Sequence, residues 1–285
     1  MNIIKLNSLT VAEENEILAL EKLCKKHDGI YNDVYLNNAL NFDNKLPCYF
    51  CAYEEQILVG FIAVFVPTRM EAEITAFTHP DFRCKGIFKK LFEEVKKTML
   101  SVGITRFLFV VESASKSGGE VVKHLDSARV FNTELTLECK KSSPEFYPKN
   151  CHITEVNQEN KTIASKLLGS VFGDFSGSEA FINTGLEEPD REVFMAYDGE
   201  IPVGVVNIYY KEKSAMIYGL MVTEIYRRKG FGKALLTFAR ERALKSRHKV
   251  YLDVDTNNKT AVELYLANGF KKVSQTYYYI FTEAV

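Results

Sequence analysis

Apolar positions along the chain follow two periods, and they change over at regular intervals. Phe194 to Tyr197, an Asp198-Gly199 turn and Val203 to Tyr210 read as a β-hairpin, because aromatic and β-branched residues favour a pleated surface. Met216 to Val222 is a third strand. Phe231, Leu235, Phe238, Ala239 and Ala243 then recur at helical spacing, which predicts an amphipathic helix starting at a basic glycine loop. Lys249 to Val254 returns to a strand, and a helix follows from Thr260 to about Asn268, with Gly269 placed to stop it. The N-terminal half runs the same way, with strands at Tyr49 to Tyr53, Val59 to Val66 and Glu73 to Thr78. A helix carrying Ile87, Leu91, Val95 and Met99 comes next. Strands alternating with helices predict an α/β fold.

The likeness of the halves extends to identities. Shifted by 144 residues without a gap, Phe50-x-Ala52-Tyr53-x-x-x-Ile57-x-Val59-Gly60 falls on Phe194-x-Ala196-Tyr197-x-x-x-Ile201-x-Val203-Gly204. In the same register Arg83-x-Lys85-Gly86-x-x-Lys89-x-Leu91 falls on Arg227-x-Lys229-Gly230-x-x-Lys233-x-Leu235. Positions 50 to 91 hold 11 identities in 42, against about two or three for unrelated chains of average composition. The period is too long for a solenoid unit, so each half is expected to be a domain, 1–143 and 150–285. Lys140 to Cys151, with Pro144 and Pro148 among polar residues, is the natural linker.

Composition narrows the function. A chain of 285 residues exceeds the usual span of one core, and 46% hydrophobic with 26% charged residues is the balance of a folded protein. Lysine and arginine total 36 against 37 acidic residues, so no global basic field exists to hold nucleic acid or anionic lipid. No apolar run approaches the roughly 18 residues of a membrane span. Met1 to Leu20 lacks the basic-then-apolar order of a secretory signal, so a cytoplasmic location is expected. Six cysteines are then expected as thiols, and Cys48-x-x-Cys51, without a second pair or a histidine spacing to match, reads as strand residues rather than a metal site.

Chemistry concentrates at Arg227-Arg228-Lys229-Gly230-Phe231-Gly232-Lys233, between a strand and a helix. Glycines there let backbone N–H groups turn toward an anion, and the helix dipole adds its positive end. Four cations suit a ligand with several phosphates, a diphosphate first. A P-loop does not fit, because Ala234 follows Lys233, and Leu235 breaks a G-x-G-x-x-G. Alone, the loop could be a solvated basic strand–helix turn. Downstream stand Asn258-x-x-Ala261-x-x-x-Tyr265-x-x-x-Gly269-Phe270. Together with Arg227-x-x-Gly230-x-Gly232, these residues resemble the two signature segments of the GNAT superfamily of acyl-CoA-dependent N-acyltransferases. The resemblance covers residues 150 to 285, and the first half through the repeat.

That resemblance implies two tandem GNAT domains, each a mixed central sheet flanked by helices. It implies that acetyl-CoA is the co-substrate, with no metal. Backbone amides of Arg228, Lys229, Gly230, Phe231, Gly232 and Lys233 would bind the CoA diphosphate, with Arg227 and Arg228 adding charge. The strand edge at Leu220, Met221 and Val222 would pair with the pantetheine arm, and a strand amide near Val222 would stabilise the oxyanion. Asn258 would contact pantetheine or steady the loop, although a helix N-cap is an equal reading. Tyr265 would protonate the leaving thiolate, or pack the last helix on the sheet.

A primary amine acceptor, small molecule or peptide, must lose a proton before it attacks. At a pKa of about 10.4 this costs roughly 4.6 kcal/mol at neutral pH, so a base is worth seeking. The Met216 to Val222 strand has no carboxylate, leaving Glu224, Asp253 and Asp255 as candidates by proximity in sequence. The first half departs from the pattern. Phe88 replaces the second small residue of the loop, and Ala114 and Val121 stand where the second half has Asn258 and Tyr265. Glu73, which falls on Ile217, is a candidate remnant base. The expectation is an N-acetyltransferase whose C-terminal domain is catalytic and whose N-terminal domain is degenerate; the alternative is a non-catalytic acyl-CoA-binding module or sensor.

Overall fold

Thr10 opens the first helix reciprocally. Its hydroxyl accepts from the Glu13 amide at 3.3 Å, while the Glu13 carboxylate accepts from the Thr10 amide at 2.8 Å. The helix, α1 (Val11–Asp28), ends at Gly29, whose φ of 69° is the left-handed stop that glycine adopts without strain. A computed structural model describes residues 1–173 and 175–283. Before α1 lies β1 (Asn2–Leu6); after it come β2 (Tyr49–Glu54), β3 (Ile57–Phe65), β4 (Ala72–Thr78), α2 (Ile87–Leu100), β5 (Arg106–Glu112), α3 (Lys116–Lys123) and β6 (Arg129–Cys139). The second half runs β7 (Cys151–Glu155), α4 (Lys161–Phe172), α5 (Phe175–Glu187), β8 (Arg191–Asp198), β9 (Ile201–Tyr210) and β10 (Ser214–Val222). It finishes with α6 (Phe231–Leu244), β11 (Lys249–Asp255), α7 (Lys259–Ala267) and β12 (Lys271–Thr282).

The chain divides into two units, Met1–Glu134 with Ser274–Val285, and Leu135–Val273. In the first, strands run β1-β2-β3-β4-β5-β12. β4 and β5 are parallel, with Ala72 opposite Phe107, and the other pairs antiparallel. All residues of β3 from Leu58 to Val64 are buried, so both faces of that strand are covered, and α1 and α2 pack on it. In the second unit the order is β6-β11-β10-β9-β8-β7, with β10 and β11 parallel, Met216 opposite Tyr251. One core cluster of this unit joins Ile208, Ile217 and Leu252 to Leu235 and Ala239 of α6. The other joins Val193, Val205 and Met221 to Ala164 and Leu168 of α4 and Ile182 of α5.

Where the repeat divides the chain at the linker, the compact units divide within β6, and the chain's end belongs with the first unit. β12 pairs with β5 from Thr276–Glu112 to Thr282–Arg106, and Phe281 packs edge-on against Phe92 at 6.2 Å. Strand pairing joins residues far apart in sequence, and a period of two does not record the partner. Tyr277, Tyr278 and Tyr279 all lie in this pairing, opposite Val111, Val110 and Phe109. Residues 140–150 form no helix or strand and lie within the second unit.

Candidate acyl-carrier site

The basic loop leaves β10 through a short turn at Glu224–Tyr226 and enters α6 at Gly230, whose φ is 94°. The first helical bond is from the Ala234 amide to the Gly230 carbonyl at 3.0 Å. The amides of Phe231, Gly232 and Lys233 therefore precede the helical ladder, and no side chain caps them. A methyl on Gly232 would meet Leu264 at 3.6 Å and Val222 at 3.8 Å, which is ordinary contact. Packing thus tolerates a side chain at Gly232, whereas at Gly230 a Cβ would meet the Phe146 ring at 3.0 Å and Pro148 at 3.1 Å. The Phe231 side chain is buried edge-on to Tyr226. Arg227 Nε donates to the Val222 carbonyl at 3.1 Å and ties the loop to the end of β10. Lys229 lies over the Tyr226 ring at 4.8 Å and Lys233 over the Phe146 ring at 4.5 Å.

Beside this helix end the β9–β10 ladder slips. Tyr218 pairs with Asn207 and Met221 with Val205, so Gly219 and Leu220 together oppose Val206 alone. This is a β-bulge, and its extra residue is left outside the ladder. Gly219 takes a φ of 59°, a left-handed conformation that glycine supplies cheaply. Leu220, Met221 and Val222 thus follow a local kink, with Met221 and Val222 buried and Leu220 partly exposed.

Tyr265 stands on α7, 8% exposed, with its ring 6.2 Å from that of Phe270. Burial pushes its pKa up from the ordinary tyrosine value, and its hydroxyl has no hydrogen-bond partner among the described residues. The ring packs in the core, as the packing reading expects, and the hydroxyl is uncommitted. Asn258 is the N-cap of α7, its Oδ1 accepting from the Ala261 amide at 3.2 Å. The three carboxylates near in sequence are scattered: Asp253 accepts from the Thr136 hydroxyl at 2.7 Å, Asp255 from the Asn257 amide at 2.7 Å, and Glu224 is exposed.

The first unit repeats the uncapped helix start, at Gly86 with a φ of 77°, and the arginine tie, Arg83 Nε donating to the Thr78 carbonyl at 3.1 Å, but differs at other points. Its loop arginine, Arg83, makes a two-pronged pair with Asp28 at 2.8 and 2.6 Å. Phe88, in the place of Gly232, stacks on Phe92 at 5.9 Å. Its β3–β4 ladder is unbroken from Gly60–Thr78 to Phe65–Glu73. The bulge in the second unit also shifts the equivalence of Glu73. Glu73 faces Phe65, whereas the residue facing Tyr209, 144 positions on from Phe65, is Met216 rather than Ile217. Burial and the neighbouring Glu134 and Glu71 push the Glu73 carboxyl up to about 7. Cys48 and Cys51 are buried thiols with pKa values pushed up by burial, to about 11 and about 12. Gly219, Asn207 and Asp28 escaped sequence reasoning. A glycine inside an apolar strand pattern was the available signal for the bulge.

A doubled α/β unit with an uncapped helix end beside a bulged strand is the architecture of an acyltransferase family. The model of the acetyltransferase (GNAT) family matches residues 15–117 and again 158–270, and the chain belongs to that family, as two GNAT domains in tandem. An uncharacterised N-acetyltransferase of Bacillus subtilis strain 168, YfmK, is 35% identical over 79 residues, 27% of this chain. The match spans 53% of that protein's length, so the chain aligns with about half of it. A GCN5-related N-acetyltransferase from Sphaerobacter thermophilus shares the fold with a TM-score of 0.77 at 14% identity, over 99% of this chain and 97% of that one. A tandem GNAT protein from the clavulanic acid biosynthesis pathway gives 0.75 at 13% identity, over 100% and 99%.

Among the described residues no helix is long and apolar enough to cross a membrane, and no group of three or more His, Cys, Asp or Glu side chains is placed to hold a metal.

Proposed function

We propose that this protein is an N-acetyltransferase that moves the acetyl group of acetyl-CoA onto a primary amine, with the reaction in the Leu135–Val273 unit. The observation that carries the assignment is that one unit alone combines uncapped amides at a helix start with a bulged neighbouring strand. The first unit, with Arg83 bound to Asp28, Phe88 in the loop and an unbroken ladder, serves a structural or substrate-binding role. Free cysteines suit a reducing compartment such as the cytoplasm.

Acetyl-CoA supplies the acyl group as a thioester. The amides of Phe231, Gly232 and Lys233 bind its diphosphate, and Arg227, Arg228, Lys229 and Lys233 surround that anion with positive charge. Leu220 to Val222 pair with the pantetheine arm as an added strand. The amine nitrogen attacks the carbonyl carbon, and a backbone N–H at the bulge takes the charge on oxygen. As the C–N bond forms and the C–S bond breaks, the nitrogen releases its surplus proton to solvent and coenzyme A departs as a thiolate, to whose sulfur Tyr265 donates a hydrogen bond. A thiol of pKa about 8.5 is a stronger acid than a phenol above 10, so Tyr265 stabilises the thiolate more than it surrenders a proton to it. Asn258 holds α7, and with it Tyr265, in place.

None of the three candidate carboxylates is free of other contacts or enclosed, since Asp253 and Asp255 accept hydrogen bonds and Glu224 is exposed. This favours, as a second reading, a module that binds acyl-CoA without turning it over.

Calorimetric titration of acetyl-CoA tests the assignment. Gly232→Glu places a carboxylate at the amides without steric conflict, and it should weaken binding more than about tenfold. Lys89→Glu, at the exposed position next to Phe88 in the first unit's loop, should leave binding unchanged. Loss in the Lys89→Glu protein alone would move the site to the other unit, and a wild-type protein that binds no acetyl-CoA would end both readings. Turnover on a panel of amines separates enzyme from sensor.

A further inference from the structure

We infer that Asn207 is a positioning residue that sets the β10 bulge, and through it the backbone amide that receives the thioester carbonyl; this rests on the acyltransferase reading above. Asn207 lies on β9 between Val193 and Tyr218 and is fully buried. Its Nδ2 donates to the Tyr218 carbonyl at 3.4 Å, and its Oδ1 has no hydrogen-bond partner among the described residues. An unsatisfied buried amide oxygen costs about 1–3 kcal/mol, which alanine or valine would avoid here. On β9 its neighbours Val205, Val206 and Ile208 are apolar and buried. The cost is offset by what Nδ2 does: it takes up the Tyr218 carbonyl on the side-chain side, one residue before the ladder slips.

The same chain contains the control. Ala63 occupies the corresponding place on β3, opposite Tyr49 and Thr75, and there the ladder to β4 runs without a slip. The outer hairpins of both units are alike, each with one irregularity at an equivalent point, Ala52/Tyr53 and Ala196/Tyr197. The difference is therefore confined to the strand pair that Asn207 joins. Gly219 completes the device, because a Cβ there would lie 2.7 Å from Asn207 Nδ2 and 3.1 Å from the Phe181 ring. Asparagine and glycine occupy each other's space, and the bulge is what their fit produces.

The test compares two ligands on the full chain, acetyl-CoA and free CoA, which differ only by the acyl carbonyl and its methyl. Asn207→Ala, which installs the first unit's own residue, should weaken acetyl-CoA binding about three- to tenfold, the worth of one lost hydrogen bond. Free CoA should keep its affinity within about twofold, because the diphosphate amides of α6 are untouched. Gly219→Ala should show the same selective loss, and the double variant should lose little more than either single one, since both act on one bulge. If Asn207→Ala does not fold, Gly219→Ala carries the same comparison. Equal losses for both ligands, or none in folded variants, would overturn the role of Asn207 while leaving the acetyltransferase assignment standing. A wild-type protein that binds neither ligand would overturn both.

Discussion

Two side chains carry unusual protonation, with opposite consequences. Tyr265 is held neutral by burial, so its hydroxyl keeps its proton beyond pH 10, and any alkaline limb it imposes on activity lies above that value. Tyr265→Phe should lower kcat by on the order of 10²-fold, the lower range for losing one hydrogen-bond donor to charge that develops in the transition state. It should leave Tm nearly unchanged, because the hydroxyl has no partner among the described residues to lose. Glu73 binds its proton more tightly in the folded protein, at about 7, than in the unfolded chain, near 4.5. Stability contributed by the neutral carboxyl is present below about 4.5 and is lost as pH rises through 7. Glu73→Gln should therefore be indistinguishable from wild type in thermal melts at pH 4.5. At pH 8.5 it should be more stable, by on the order of 2 kcal/mol. These residues show where sequence reasoning ended. The spacing of Asn258, Tyr265 and Phe270 marked Tyr265, but Glu134, the larger of the two carboxylate influences on Glu73, comes from another segment, and no local pattern records it.

At the scale of elements, α6 is fastened along its length by the segment before β7. Arg240 is almost wholly buried, and donates to the Asn268 carbonyl at 2.7 Å, the Ser143 carbonyl at 3.2 Å and Glu241 at 2.8 Å. The Ser143 amide in turn donates to Glu241 at 3.0 Å, and the Phe146 amide to the Thr237 hydroxyl at 3.4 Å. One guanidinium thus joins α6 to the end of α7. Arg240→Met keeps the volume and strands these acceptors, and should cost about 3 kcal/mol in urea unfolding. For α1, Thr10→Ala removes the capping box and should cost about 1 kcal/mol. Helix limits were legible because caps and breakers are local: Gly230, Asn258 and Gly269 stand where α6 starts and α7 begins and ends. The bulge was not read, since the apolar run Met216 to Val222 suits a straight strand as well as a kinked one.

For the whole molecule, the consequential fact is that the first unit is discontinuous. Residues after Val273 supply β12 to β5, with Tyr279 and Phe281 packed against the first core. The Ser274 hydroxyl donates to Glu112 at 2.5 Å, and Glu112 also accepts from the Tyr31 and Asn32 amides at 2.9 and 2.7 Å. Removing residues 274–285 takes away a strand and uncovers the apolar row on β5. A chain ending at Val273 should bind 1-anilinonaphthalene-8-sulfonate and lose the near-ultraviolet dichroism of the first unit. A native spectrum from that chain would show that the first unit is complete without its last strand.

The sequence by itself determined the doubled α/β plan, the loop with its cations and glycines, the helix that follows, and the family. Each of these depends on residues within a few turns of one another, or on a comparison of the chain with itself at fixed offset. Only the tertiary structure decided which unit the last strand joins, that Arg83 is bound by Asp28, and that the second unit's ladder slips where Asn207 meets Gly219. Those outcomes depend on which side chains are brought together across strands and helices far apart in sequence, and packing selects them after the local elements are already specified.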